Sequence, residues 1–547
     1  MAILKMEKLQ MFFFLRKTLV LACIFFAVAS PSALSANSQQ KLWPSDSQVF
    51  TRIQNLYRIN NLATPSTAGP WTTNELKHMV DHALLSMKDG QGDSGALVSA
   101  IMLQLGGTPR LVVAQELSLD YAFDYSFETY LHTNTTDFTQ NADWYYGWDK
   151  RAPILQIPLE FTALDKFSGH LDLSVMFRIQ DDLSPPVGLY SSAFRTNHSL
   201  TDFYQLDLNW PYRAAGVFGA DHWSFQYGRD KLSWGPGHTG NFMLSANMPY
   251  HEHLLFKTHF DSFSFLTTCI FFPSPKEMGT GLANLKSFIG HRIEFNITKD
   301  IRFSLSESIM YQDEVFDLRF LNPLMIYHQY FTPAKTNSIL TAEIQAALLP
   351  GLAVYGQFGV DEFKFLGESS EIPNALAWQL GLEYLRMTKV GTFLLWGEYV
   401  HTDPMFYQRN LVDYIVSYKS LYEYLKSYLG YPSGGDSRVL AFGAEWDSLT
   451  NITATLLVKY LEKGESRFNV AYPPADPTAS TPTGIVEHVL TVSLYGFYNL
   501  TLPESIAVGK KLAFYGGLTY IGVKNKNNST LGPVHDAQCV FGIAYSM

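Results

Sequence analysis

Ten charged side chains stand on or beside stretches in which apolar and polar residues alternate: Arg229, Asp230, Lys231, Arg292, Glu294, Glu307, Asp361, Glu362, Glu398 and Asp403. Two carboxylates held a fixed distance apart could hydrolyse a glycosidic bond, one protonating the leaving oxygen while the other attacks or activates water. Sequence spacing sets no such separation here, and the same charges also suit a salt-bridge network inside a barrel. On a lipid-facing surface each would cost up to a few kcal/mol near the midplane, so they must face a lumen or a rim. His238, His251, His253 and His259 lie close in sequence. His251 and His253 would share one face of a strand and could chelate a metal. They lack a supporting Cys, Asp or Glu constellation, so they read as polar barrel residues, with no metal and no cofactor expected.

Gly92-Asp93-Ser94-Gly95-Ala96-Leu97-Val98 looks like the nucleophile segment of trypsin-like proteases. In that family the serine follows two β-barrels that supply its base and orienting acid. Helical sequence precedes it here, with His78 and His82 as the nearby histidines, so the segment reads as a helix start capped by Asp93 or Ser94. The chain is expected not to be an enzyme.

The elements that must hold these side chains are strands. Leu155, Ile157, Leu159 and Phe161 alternate with Gln156, Pro158 and Glu160, and Leu171, Leu173, Val175, Phe177 and Ile179 with Asp172, Ser174 and Arg178. The rhythm recurs at Tyr204 to Trp210 and Ile301 to Ser306, then near 337–360, 374–400, 437–460, 486–524 and 536–547. Period-2 alternation means one greasy face and one polar face. At about 20–25 residues per strand and connection, the chain after residue 110 supplies roughly 18 antiparallel strands, the even number a bacterial barrel takes. A soluble sandwich alternates in the same way, but the strand number and the aromatic excess weigh against it.

Composition agrees. Of 547 residues, 47% are hydrophobic, 15% aromatic and 16% charged, with Phe 39 and Tyr 31. Soluble proteins carry about a quarter charged residues. After residue 40 no apolar run approaches the roughly 18–20 residues a spanning helix needs, so the closed β-barrel is the remaining way to cross lipid. A net charge of -10 argues against nucleic acid as a partner.

Lys5, Lys8, Arg16 and Lys17, then Leu19 to Ala29, then Ser32 to Ala36 have the order of an export signal: positive end, apolar core, small residues. Val20-Leu21-Ala22-Cys23 invites a lipoprotein reading, but its apolar stretch after Lys17 is short for a complete core. Without Cys23, Cys269 and Cys539 remain, and one disulfide between them is open. Ser45 with Gln48 and Thr72 with Glu75 are spaced as capping boxes. Helical periodicity follows at Val49, Ile53, Leu56 and Tyr57, and at Leu76, Met79, Val80, Ala83 and Met87, with a third helix through Ala96 to Leu105. Such short amphipathic helices bury against the end of a barrel or form a small bundle of their own.

Two connections are long, Asp403 to Asp436 and Gly464 to Glu487. The first holds Tyr407, Tyr414, Tyr418, Tyr422, Tyr424, Tyr428 and Tyr431 among Arg409, Lys419 and Lys426. These rings could stack on sugars. Alternatively, the four-residue spacing of Tyr414, Tyr418 and Tyr422 would put them on one face of a loop helix packed over the mouth. Pro473, Pro474, Pro477 and Pro482 make the second connection an exposed loop.

The run Tyr227-Gly228-Arg229-Asp230-Lys231-Leu232-Ser233-Trp234-Gly235-Pro236-Gly237-His238-Thr239-Gly240-Asn241 continues into Phe242-Met243-Leu244-Ser245-Ala246-Asn247-Met248-Pro249. An alternating strand breaks there into a Gly-Pro-Gly turn, as where a barrel wall meets a polar lumen or mouth. The run resembles the signature of the capsule assembly Wzi family, outer-membrane β-barrels implicated in holding capsular polysaccharide on the cell surface. Other segments resemble that family in order: Arg52 to Leu56, Gly69-Pro70-Trp71-Thr72-Thr73-Asn74-Glu75-Leu76, Phe320 to Pro323, Tyr355 to Phe363, and Leu429 to Asp436. The carboxyl end, Gly542 to Met547, lacks the terminal aromatic common in such barrels.

The resemblance implies an all-β transmembrane barrel with a small amino-terminal helical region: signal peptide 1–36, periplasmic helices 37–108, outer-membrane barrel 109–547. It implies non-catalytic binding of surface polysaccharide during capsule assembly or attachment, with outer-membrane lipid as the other partner and a monomer as the favoured state. A porin-like channel and an outer-membrane glycan hydrolase are the rival readings. The expected polysaccharide site or lumenal network comprises Arg229, Asp230, Lys231, Trp234, Asn241, Arg292, Glu307, Asp361, Glu362 and Glu398.

Overall fold

The computed structural model describes residues 39–86, 94–107, 111–114, 117–139, 143–147, 150–177, 194–197, 206–209, 212–273, 285–330, 335–362, 374–408, 412–420, 423–467, 480–502 and 511–547. The expected signal segment lies outside them. Three helices come first: α1 (Gln48–Ile59), α2 (Thr73–Leu85) and α3 (Gly95–Leu105). The barrel wall opens with β1 (Asp124–His132), β2 (Leu155–Ala163), β3 (Phe167–Phe177), β4 (Ala214–Ala220), β5 (Trp223–Asp230) and β6 (His251–His259). It continues with β7 (Phe263–Phe272), β8 (Leu285–Thr298), β9 (Ile301–Asp313), β10 (Thr336–Leu349), β11 (Leu352–Glu362) and β12 (Ala375–Thr388). It ends with β13 (Gly391–Thr402), β14 (Ser437–Asp447), β15 (Ile452–Lys463), β16 (Glu487–Thr501), β17 (Lys511–Lys524) and β18 (Val534–Ser546).

These strands form a closed, antiparallel barrel of 18, the number read from the sequence. The seam is β18 on β1, from Gln538 opposite His132 to Ser546 opposite Asp124. The hydrogen-bonded sheet counts 22 strands because Leu111–Ala114, Leu117–Tyr121, Phe194–Thr196 and Leu206–Asn209 attach to the wall near β1, β2 and β3. Closure removes every unpaired edge, the condition for strands in lipid.

Side-chain alternation is inverted relative to a soluble protein. On β12, Gln379 and Glu383 are buried while Trp378, Leu380, Leu382 and Tyr384 are exposed. On β10, Thr341, Glu343 and Gln345 are buried while Leu340 and Ile344 are exposed. An apolar exterior around a polar, filled interior is what a barrel needs to sit in a bilayer. Among the described residues no helix is long and apolar enough to cross a membrane.

One end of the barrel has short turns of two to four residues after β2, β4, β6, β8, β10, β12 and β14. The helices cap this end. Val49, Ile53, Leu56, Leu76, Val80, Leu97 and Ile101 form their common core, with Leu449 of the β14–β15 turn packed against it. Arg52 forks onto Asp447 at 2.7 and 3.0 Å, and the Gly351 N–H donates to the Arg58 carbonyl at 2.8 Å. The helices therefore bury against the barrel rather than forming an independent bundle.

Local signals held in part. Thr72 Oγ1 accepts from the Glu75 N–H at 3.2 Å, but the Glu75 carboxylate turns away to pair with Lys257 of β6 at 2.5 Å, so only half of the capping box forms. Ser45 caps nothing: α1 begins after Ser47, whose side chain makes no cap hydrogen bond. Ser94 stands at the N-cap position of α3, the structural reading of the serine segment, although without a side-chain cap bond. Cys269 and Cys539 are free, so the disulfide left open by the sequence is not formed.

Placing a cation on the outer face should expose the membrane logic directly. Leu380→Arg, mid-strand and pointing outward, is expected to destabilise the folded barrel by about 2–4 kcal/mol in bilayers, read as a loss of the heat-modifiable folded band. An unchanged folded fraction would mean that this face does not meet lipid.

Candidate functional site

At the end opposite the helices, long connections fold back into the lumen. Residues 231–250, between β5 and β6, contribute Trp234, Phe242, Met243, Leu244 and Met248 to a buried core. Residues 403–436, between β13 and β14, add Phe406, Tyr407, Tyr414, Tyr428 and Tyr431. Their partners are inward residues of the wall, including Phe288, Met310, Ile339, Ala377 and Val400. The amino-terminal segment reaches the same core, where Ala68 and Gly69 pair with Trp234 and Ser233.

The tip of the 231–250 segment is fixed by hydrogen bonds to the wall. Asn241 Oδ1 accepts from the Gly237 N–H at 2.9 Å and from Gln357 Nε2 at 2.6 Å, while its Nδ2 donates to Ser233 Oγ at 3.1 Å. Gly235 has φ +130°, and a Cβ there would fall on the Asn241 amide, so both backbone shape and space demand glycine. Glu398 accepts from the His238 N–H at 2.9 Å, the Thr239 N–H at 3.1 Å and the Tyr355 hydroxyl at 2.5 Å. The His238 ring stacks on Trp396 at 4.3 Å and meets Glu383 at 2.7 Å. Burial opposes charge on His238, but its hydrogen bond to Glu383 and the carboxylates of Glu383, Glu445 and Glu398 outweigh that and raise its pKa.

Most of the other expected residues have specific partners. Arg292 is fully buried and binds Glu343 twice at 2.7 Å, Glu294 at 2.7 Å and Ser306 at 3.1 Å. Asp230 takes a two-bond fork from Arg213, each at 3.0 Å. Arg229 pairs with Glu252 at 2.9 Å and lies over the Tyr250 ring at 4.1 Å. Lys231 reaches Asp46 at 3.3 Å, and Glu307 meets His291 at 3.4 Å. Asp361 accepts from the Tyr407 N–H at 2.8 Å, and Glu362 ends β11 opposite Ala375. Trp234 is buried against Phe288 rather than forming the wall of an open site. His251 and His253 share a face, but His251 Nδ1 accepts from the Leu232 N–H at 3.0 Å and His253 Nδ1 lies 3.0 Å from the His251 carbonyl, so they are structural.

The tyrosine-rich connection is not helical where it is described: Ile415–Ser420 and Glu423–Tyr428 pair as a hairpin, which puts Tyr418 in a strand and leaves Tyr414 just before it. Its buried hydroxyls find specific partners, Tyr407 on the Phe242 carbonyl at 2.7 Å, Tyr414 on Ser308 at 2.9 Å and Tyr431 on Thr239 at 2.8 Å. Those three rings are therefore core. Tyr418 and Tyr424, with Lys419, Arg229, Tyr250 and Glu252, line a cavity of about 370 Å³ at the long-connection mouth. Tyr422 lies outside the described residues.

A second cavity, of about 650 Å³, lies at mid-height between the His238 tip and strands β15 to β18. Its walls carry Tyr130, Trp144, Tyr145, Tyr146, Trp396 and Tyr495, with Lys150, Lys459, Thr239 and Glu445 among them. Tyr146 stacks on Tyr495 at 6.3 Å, and Arg151 lies over Tyr130 at 4.4 Å. Lys459 makes no ion pair among the described residues. None of the ten expected site residues lines this cavity. The missed signal was the cluster Trp144-Tyr145-Tyr146-Gly147-Trp148 followed by Lys150 and Arg151, a density of aromatic and cationic groups outside any alternating strand.

No family model matches the chain, and no curated protein matches it in sequence. Among solved structures the fold matches Wzi of Escherichia coli, an outer-membrane protein involved in group 1 capsule assembly and described as a carbohydrate-binding β-barrel. The match covers 92% of this chain and 98% of that one, with a TM-score of 0.57 at 13% identity. OccD3 (OpdP) of Pseudomonas aeruginosa matches over 78% of this chain and 91% of that one, with TM-score 0.39 and 11% identity. OccAB1 of Acinetobacter baumannii matches over 78% and 97%, with TM-score 0.39 and 8% identity. The likeness to Wzi, at this identity, is one of fold, and it agrees with the resemblance carried by the 227–249 run.

Glu398 anchors the inserted tip, so Glu398→Ala is expected to loosen residues 231–250 and raise ion conductance in planar bilayers while the barrel still folds. Wild-type conductance in this variant would show that other contacts alone hold the tip.

Proposed function

We propose that this protein is an outer-membrane barrel that binds surface polysaccharide, capsular or exopolysaccharide, during its assembly or attachment and performs no catalysis on it. The observation that carries the reading is the aromatic cavity of about 650 Å³ in a lumen otherwise filled by inserted chain. Its volume falls in the usual ligand-site range of about 300–1,000 Å³. Tyr and Trp rings offer apolar faces for stacking on sugars, and their polar atoms can bond the hydroxyl rims. Lys459, without an ion-pair partner among the described residues, suits a carboxylate or other anionic substituent on the glycan.

The smaller cavity at the mouth, with Arg229, Lys419, Tyr418 and Tyr424, repeats the same chemistry. Short turns mark the periplasmic side in outer-membrane barrels and long connections the cell exterior. On that rule the helices face the periplasm and the mouth cavity faces the polysaccharide. The fold match to a barrel described as carbohydrate-binding supports this assignment without fixing the glycan.

The rival readings fit less well. A diffusion channel needs a continuous aqueous path, whereas residues 231–250 and 403–436 pack against the wall as a buried core. A glycoside hydrolase needs two carboxylates converging on substrate, and Glu445 is the one carboxylate among the described residues lining the large cavity.

The test is binding of purified surface polysaccharides to the protein in detergent, with conductance measured in parallel. Trp144→Ala and Lys459→Ala are each expected to weaken binding about tenfold, or about 1.4 kcal/mol, with the folded band unchanged. Wild-type affinity in both variants would remove the cavity from the function. A large open-channel conductance in the unmodified protein would favour the channel instead.

A further inference from the structure

His78 of α2, His222 of the β4–β5 turn and His259 at the end of β6 meet where the helical cap sits on the short-turn rim. One ring nitrogen from each lies within 4.8 Å of the other two. The ring centroids are 5.0 Å apart for His78 and His222, 5.7 Å for His78 and His259, and 6.1 Å for His222 and His259. Sequence spacing gave no hint of the group, because its members are brought together by the docking of α2 on the rim. That docking rests on Asn74 donating to the Asp221 carbonyl at 2.5 Å and on the Glu75–Lys257 pair.

A second observation points to a ligand. His259 is 5% exposed, yet neither of its ring nitrogens makes a well-formed hydrogen bond. A buried polar ring left in that state costs free energy that a bound partner would recover. His222 Nδ1 lies 3.2 Å from the His259 carbonyl. Donation across that contact puts the proton on Nδ1 and leaves Nε2 with a free lone pair, the arrangement in which a backbone carbonyl orients a ligating imidazole.

We propose that His78, His222 and His259 bind a first-row divalent transition metal, of which zinc is the representative, and that the ion staples the helical cap to the barrel. Three neutral imidazoles suit zinc, nickel or copper. Zinc–nitrogen bonds of about 2.0–2.1 Å in tetrahedral geometry set donors roughly 3.3 Å apart. The three rings need to draw in by at most about 1.5 Å from their present spacing, within the reach of side-chain rotation and with a fourth position left for water. The ligands come from one cap helix and two separate rim positions, so the ion would cross-link elements that otherwise meet through side-chain packing and a few polar contacts.

The experiment uses the full mature chain, without an affinity tag, purified in detergent, stripped with chelator and titrated with zinc chloride. One zinc per chain is expected, and zinc should slow proteolysis of the cap helices. His78→Ala and His222→Ala should each weaken the zinc affinity at least tenfold and abolish that protection. His222 is exposed and His78 half-buried, so both variants are expected to keep the folded, heat-modifiable band. Absence of stoichiometric zinc in the unmodified chain overturns the proposal. So does undiminished binding in both variants, which would place the ion on other histidines, or cap proteolysis that ignores zinc.

Discussion

The structure hangs on a buried carboxylate. Glu383 points into the lumen from the middle of the barrel wall and is shared by Arg58, which comes down from the cap at 2.8 and 2.6 Å, and by His238, at the tip of the inserted segment, at 2.7 Å. A carboxylate removed from water is stable only if it is paired and hydrogen-bonded, and removing one partner of such a group costs several kcal/mol. One anion thus ties three parts of the chain that are far apart in sequence. It also makes the cap and the inserted tip mutually dependent, since either one moving away leaves the same charge short of a partner.

The same constraint organises the rest of the interior. A barrel that shows its apolar face to lipid is left with a polar inner face, and a lumen of this size must be either wet or filled. Here it is largely filled, and where inserted chain displaces water many of the wall's polar groups find new partners. Arg292 is enclosed by Glu294, Glu343 and Ser306. Lys257, fully buried, pairs with Glu75 and donates to the Ala68 carbonyl at 2.7 Å. In the lining of the large cavity Lys459 has no ion-pair partner among the described residues, and that, with the aromatic walls, is what recommends it as a site.

The barrel was legible in the sequence because alternation is a local property. Gln379 and Glu383 facing in, with Leu380 and Leu382 facing out, can be read from a handful of residues and survive any error in turn position. The strand total followed from length, and the turn at Gly235 from residue type. The interior was not legible in the same way. Tyr414 and Tyr418 fit helical spacing, yet a hairpin starting at Ile415 won, with Tyr414 buried against Ser308 on the wall just before it, because tertiary burial outweighs a local periodicity of three residues. Charges picked out on strands, such as Arg292, Glu294 and Asp230, are buried in the interior, but their partners, Glu343 for Arg292 and Arg213 for Asp230, come from segments no spacing rule connects. The cavity at Trp144 escaped for the same reason, its walls being drawn from β1, from β13 to β18 and from the segments at 144–150 and 238–239.

The seam of the wall has a consequence for the order in which the molecule is made. β1 closes on β18, so the wall is incomplete until the last strand of the chain is available. By then the segment around Ala68, its partner at Trp234 and the hairpin at 415–428 have all been synthesised. Ala68 is buried inside the closed ring, 166 residues from the residue it pairs with (234 less 68). Contacts of such long range form slowly. Closure of the seam therefore completes the enclosure in which that pairing sits, and an unsealed barrel would expose its polar inner face and β1 and β18 as free edges.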